Sequence, residues 1–90
     1  MKIEQLHQLF LDCKSVSTDT RTIKKNIMFF ALKGDNFNGN TFSTEALKKG
    51  AKYVIIDELE YNTSSQTILV ENVLETLQQL ATYHREYLNI

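Results

Sequence analysis

The sequence predicts a small layered α/β domain with a mixed, largely parallel sheet flanked by helices. Three observations carry that expectation. Apolar runs at residues 28–32, 53–56 and 67–70 are short, aliphatic or aromatic, and bounded by turn formers, as buried strands are. Stretches 3–13, 41–49 and 72–87 place apolar residues at helical spacing. The two patterns alternate, which is the order of a parallel sheet built from crossover units.

Ninety residues make one domain with a modest core. A net charge of −1 argues against a broad nucleic-acid-binding face. No apolar run approaches the ~18 residues of a membrane span, so no membrane partner is expected. The N-terminus has an early acid, Glu4, and no continuous apolar core, so it does not read as a signal peptide. A lone cysteine, Cys13, excludes an internal disulfide and fits a reducing, cytoplasmic setting.

In chain order, Ile3, Leu6, Leu9, Phe10 and Cys13 form one face of the first helix. His7 and Cys13 are six apart and do not share a helical face, so no metal site is expected and Cys13 reads as a small core residue. Residues 15–20 alternate Val16, Thr18 and Thr20 in the manner of a half-polar strand. Extended, that strand would put Asp19 and Arg21 on one side. The pair is then either a surface ion pair or an arginine aimed at an anion and steadied by its neighbour. Residues 28–32 are the central strand. The loop 34–40 (GDNFNGN) is dense in residues that tolerate a positive φ. Within it Phe37 is either a plug on the core or a stacking platform for a ring. The loop carries no Gly-Lys-Ser/Thr ending and is no Walker cradle. Asn40 or Thr41 is expected to cap the next helix, which Lys48, Lys49 and Gly50 close. The strands at 53–56 and 67–70 should lie near each other. Asn72 and Glu75 have capping-box spacing before the last helix. His84 reads as a helix-face residue, since no acid or nucleophile pairs with it in sequence.

The string Ser17-Thr18-Asp19-Thr20-Arg21, followed by the Phe-Phe-Ala-Leu strand and the loop from Gly34 to Phe42, resembles the N-terminal domain of the Mur ligases. Ala46, Gly50-Ala51 and Val54-Ile55-Ile56-Asp57 fit the same pattern. The resemblance covers nearly all 90 residues and is strongest to the branch that adds D-alanyl-D-alanine to UDP-N-acetylmuramoyl-tripeptide. It departs from the family at three places. Thr20 stands for a usual serine, Lys25-Asn26-Ile27-Met28 for Pro-Gly-Asp-Leu, and Asn38-Gly39-Asn40 for Asp-Gly-His.

The resemblance implies that residues 1–90 are a UDP-substrate-binding domain. It implies no catalytic or metal-binding residue and no cofactor in this segment. ATP and Mg²⁺ would belong to the central domain of the full ligase, and the central and C-terminal domains would be its partners. The residues implied to bind the UDP moiety are Thr20, Arg21, Asp35, Asn36, Phe37 and Asn38. Alternatives are the sister ligase that adds the third peptide residue, and a non-catalytic α/β interaction module.

Overall fold

The computed structural model describes residues 2–89. The chain runs α1 (Ile3–Leu11), β1 (Val16–Ser17), β2 (Met28–Phe30), β3 (Lys33–Gly34), β4 (Phe37–Asn38), α2 (Ser43–Lys48), β5 (Tyr53–Ile56), β6 (Thr67–Leu69) and α3 (Val73–Leu88). Short 3₁₀ turns occupy Thr20–Thr22, Gly39–Phe42 and Leu59–Tyr61. Strands β1, β2, β5 and β6 form one sheet in that order, and all three pairings are parallel. The antiparallel character is confined to a separate hairpin, β3–β4.

Side-chain alternation divides the core. Met28, Phe30, Ile55 and Ile68 point to one face, where Leu6 of α1 and Val73 and Leu80 of α3 cover them. Phe29, Ala31, Val54 and Ile56 point to the other, against Ile27, Ala46 and Ala51 on the α2 side. Strand β2 is buried on both faces, so its sequence reads as an unbroken apolar run rather than an alternating one. The strands at 53–56 and 67–70 are neighbours, with Ile56 opposite Leu69.

Strand β1 stops at Ser17, short of the expected 15–20, because side chains there compete for the backbone. The Ser17 hydroxyl donates to the Asp19 carbonyl (2.9 Å), and the Asp19 carboxylate accepts the Arg21 N–H (2.8 Å), curling the chain into the first 3₁₀ turn. The start of α2 also moves, to Ser43, because Asn38 caps a 3₁₀ turn ahead of it. Its end is as expected: Gly50 adopts φ 109°, the left-handed conformation that a C′ glycine provides. Asn72 caps α3 by accepting the Glu75 N–H at 2.9 Å. The other positive φ among the described residues is at Asn26, so the 34–40 loop does not use the left-handed conformations its composition permits. Among the described residues no helix is long and apolar enough to cross a membrane.

The contact between α1 and α3 holds a pair that sequence spacing did not show. His7 is 1% exposed, and its Nε2 lies 3.0 Å from Nδ1 of His84, one ring donating to the other. The rings of Phe10, Tyr83 and Tyr87 pack around it. Burial, then the nearby His84, pushes the His7 pKa below its ordinary 6.5. The folded state therefore binds this proton less readily than the unfolded chain. The stabilisation is complete above the unfolded pKa and is lost as pH falls below it, through the folded value. Melting temperature should accordingly drop between pH 7 and pH 5, a window above the carboxylate titrations. His7→Phe should flatten that slope, and a slope unchanged in the variant would assign it to another group.

Candidate functional site

The carboxyl ends of β1, β2 and β5 deliver their following segments to one edge of the sheet, where ligands bind in open α/β folds. After β2 the chain turns out into the β3–β4 hairpin, with Lys33 opposite Asn38 and Gly34 opposite Phe37. Asp35 and Asn36 form its exposed tip. Phe37 is 45% exposed, so it is no core plug. It stacks on Phe42, centroids 5.6 Å apart and planes 24° from parallel, and presents an aromatic face to solvent.

The base of the hairpin is tied to the end of β5 by a polar network. The Asn38 amide donates to Glu58 (2.7 Å). Its oxygen accepts both the backbone N–H (3.0 Å) and the side-chain amide (2.9 Å) of Asn40. Asn40 is fully buried; its amide also donates to Asp57 Oδ1 (2.9 Å), and its oxygen accepts the Asp57 N–H (3.0 Å). Lys33 Nζ bridges Asp57 (3.2 Å) and Glu58 (2.8 Å). Asp57 Oδ2 accepts the Val73 N–H at the start of α3 (3.2 Å). Burial would raise the Asp57 pKa, but bonds from Asn40, Val73 and Lys33 outweigh it and hold the carboxyl below its ordinary range. Lys33 and Asn38 lower Glu58 likewise, and the two carboxylates raise Lys33. Asn40 therefore braces the hairpin and does not cap α2, contrary to the sequence expectation. No spacing rule links Asn40 with Asp57, or Lys33 with Asp57 and Glu58, since 17 to 25 positions separate them.

Thr20 and Arg21 lie in the 3₁₀ turn after β1. The Thr20 carbonyl accepts from Lys49 Nζ at 2.8 Å. Arg21 forms a two-pronged pair with Asp19, through Nε (3.1 Å to each oxygen) and Nη2 (2.7 Å). Those bonds hold the Asp19 carboxyl down at about 2. The Arg21 side chain is 87% exposed, and Nη1 has no protein partner among the described residues. The pair arises from a turn and not from an extended strand. Among the described residues no hydrogen bond or ion pair joins Thr20 or Arg21 to the hairpin. The structure thus brings residues 35–38 together as one unit and places residues 20–21 as a second.

Two clefts lie nearby. One of about 550 Å³ runs past Asp57, Glu71 and Glu75, an acidic lining that repels an anion. The other, about 670 Å³, is an apolar groove between Phe10, Val16 and the C-terminal half of α3. Its lining is mainly apolar but includes His84, Arg85 and Asn89. Cys13 donates its thiol to the Leu9 carbonyl (3.4 Å) and packs against the core; burial raises its pKa, so it is a structural thiol. Among the described residues there is no cluster of three metal-ligating side chains.

A family model described as "Mur ligase family, catalytic domain" matches residues 12–85. The chain belongs to the Mur ligase family. The UDP-N-acetylmuramoyl-L-alanyl-D-glutamate–2,6-diaminopimelate ligase of Rickettsia typhi is 42% identical over 76 residues, 82% of this chain and 15% of that protein. The UDP-N-acetylmuramoyl-tripeptide–D-alanyl-D-alanine ligase of Rickettsia prowazekii is 38% identical over 77 residues, 84% of this chain and 17% of that protein. The crystal structure of MurF ligase from Thermotoga maritima in complex with ADP superposes with a TM-score of 0.71 at 32% identity, over 80% of this chain and 16% of that one. The Mur-ligase segment described here thus spans only a small part of the proteins it matches.

Proposed function

We propose that these residues are the N-terminal domain of a peptidoglycan-precursor ligase and bind the UDP end of UDP-N-acetylmuramoyl-tripeptide, to which the whole enzyme adds D-alanyl-D-alanine. The observation that carries this reading is the braced hairpin at the carboxyl edge of a parallel sheet in a Mur-ligase chain. Phe37, backed by Phe42, offers a stacking face for uracil. Asn36 and one remaining amide hydrogen of Asn38, with the Thr20 hydroxyl, offer partners to the imide and ribose groups. Arg21 offers the unpaired side of its guanidinium to the diphosphate. Asp35 at the tip is left for ribose hydroxyls, which a carboxylate accepts from.

The segment contains no Gly-Lys-Ser/Thr run to cradle the phosphates of ATP and its Mg²⁺. They belong to other domains of the ligase, where ATP activates the peptide carboxylate. Holding the remote nucleotide contributes binding energy that orients that carboxylate.

The test is titration of UDP into the isotope-labelled chain, followed by NMR. Amides of Thr20, Arg21, Asn36, Phe37 and Asn38 should shift while those of Leu77 to Tyr87 stay fixed. Shifts confined to α3 at millimolar UDP would place the site elsewhere. In a ligase carrying this segment, Thr20→Val should weaken nucleotide-substrate binding by about 1–2 kcal/mol, one hydrogen bond with its partner left unpaired. Turnover at saturation should fall less.

A second reading is the diaminopimelate-adding ligase, favoured by the 42% identity to the Rickettsia typhi relative. In a ligase carrying this segment, comparing ATP consumption with D-alanyl-D-alanine and with diaminopimelate as the incoming amine separates the two.

A further inference from the structure

We infer that Asn40 and Asp57 are positioning residues of the nucleotide site: they touch no ligand themselves and hold the β3–β4 hairpin in the conformation that presents residues 35–37. This inference rests on the nucleotide-binding reading above for its ligand but not for its structural content.

The hairpin has only two paired positions on each strand, too few for independent order. Its base residues are the ones held from outside. Lys33 is clamped by Asp57 and Glu58, and Asn38 by Glu58 and Asn40. Every one of those ties passes to the end of β5, which is fixed in the sheet between β2 and β6. Asn40 is the buried centre of the network. Both of its amide hydrogens are donated and its oxygen accepts the Asp57 N–H, so no other side chain of that size meets all three demands. Asp57 in turn is anchored by the first N–H of α3. A buried network satisfied this completely specifies a single arrangement, and a half-satisfied one does not. The tip residues have no comparable tie of their own among the described residues.

The experiment compares the 90-residue chain with Asn40→Asp, Asp57→Asn and the double exchange, reading backbone order in the hairpin by heteronuclear NOE, stability by urea, and UDP affinity by NMR titration. Asn40→Asp sets two carboxylates against each other and removes both amide donors. Its folded molecules should show a loosened hairpin, an unchanged NOE in the β2 and β5 strands, and UDP affinity lower by about tenfold, the coupling of one intimate pair. The double exchange restores one amide–carboxylate contact but not the donor to Asn38 or the second carboxylate on Lys33, so it should recover only part of that loss. A network that merely stabilises the fold would lower the urea midpoint of Asn40→Asp while leaving hairpin order and UDP affinity of the folded molecules intact; that outcome overturns the inference. If Asn40→Asp does not fold, Glu58→Ala removes the less buried carboxylate of the network and should loosen the hairpin without unfolding the domain; an unaltered hairpin there also overturns it. If the unmodified chain ignores UDP, the nucleotide reading fails, and the positioning role is decided by hairpin order alone.

Discussion

Phe30→Ala is expected to remove about half of the domain's stability. Phe30 has no exposed surface and sits in the central strand, in register with Ile55, under the helices α1 and α3. Truncating a buried phenylalanine costs about 3–5 kcal/mol, the transfer of the ring plus the cavity it leaves. A domain this small holds about 5–10 kcal/mol in all. The loss also falls where collapse is hardest, since β2 is packed on both faces by strands and helices that cannot all move inward. Urea unfolding followed by circular dichroism should show the midpoint lowered by about 2 M, at a slope of ~1–3 kcal/mol per molar. An unchanged midpoint would mean that the core is not organised around this strand.

Gly39→Ala is the second large effect, and its cause is space, not φ. A Cβ built at Gly39 would lie 2.5 Å from the Leu32 carbonyl oxygen and 2.8 Å from the Ala31 carbonyl carbon and the Leu32 nitrogen. All three are backbone atoms, so no side chain can swing away. Gly39 also donates its N–H to that same Leu32 oxygen at 2.7 Å, which pulls the two segments together. The methyl group must therefore push the chain after the hairpin away from the end of β2, at the upper end of the about 1–3 kcal/mol typical of overpacking. Because Asn38 and Asn40 flank it, the same displacement should pull the hairpin brace apart. Lower stability together with changed shifts at Lys33, Asn38 and Asp57 is the expected result. A variant that melts like the parent would contradict the close approach.

The main strands and the last helix were legible in the sequence because burial on both faces leaves a continuous apolar run and because Asn72, Glu75 and Gly50 mark ends by local chemistry. Strand β1 was over-extended because Val16, Thr18 and Thr20 alternate like a strand, while Ser17 and Asp19 hydrogen bond to their own backbone and end it. The 34–40 stretch reads as a loop in sequence, whereas it holds most of a short hairpin, β3–β4, whose two-residue strands are too brief to leave a pattern. Its glycines, however, suggested left-handed backbone, whereas Gly39 is needed for close approach. The site was less legible than the fold. Family resemblance pointed to residues 20–21 and 35–38, but the partners that shape the hairpin, Asn40 with Asp57 and Lys33 with Glu58, are 17 and 25 positions apart and meet only through the parallel pairing of β2 with β5. His7 and His84 are 77 positions apart and gave no signal at all.

That last separation bears on how the chain is made. One face of the sheet is covered by the first helix and the last, and Leu6, Phe30, Ile55, Val73 and Leu80 form a single cluster across them. A growing polypeptide emerges from its amino end, so α1 and the strands are in solution before α3 exists to close over them. Until residues 73–88 have cleared the ribosome, that apolar face has only half its cover, and such transient surfaces are where nascent chains aggregate or recruit chaperones. The cover of this face, and with it the burial of His7 against His84, is completed only when α3 has been made.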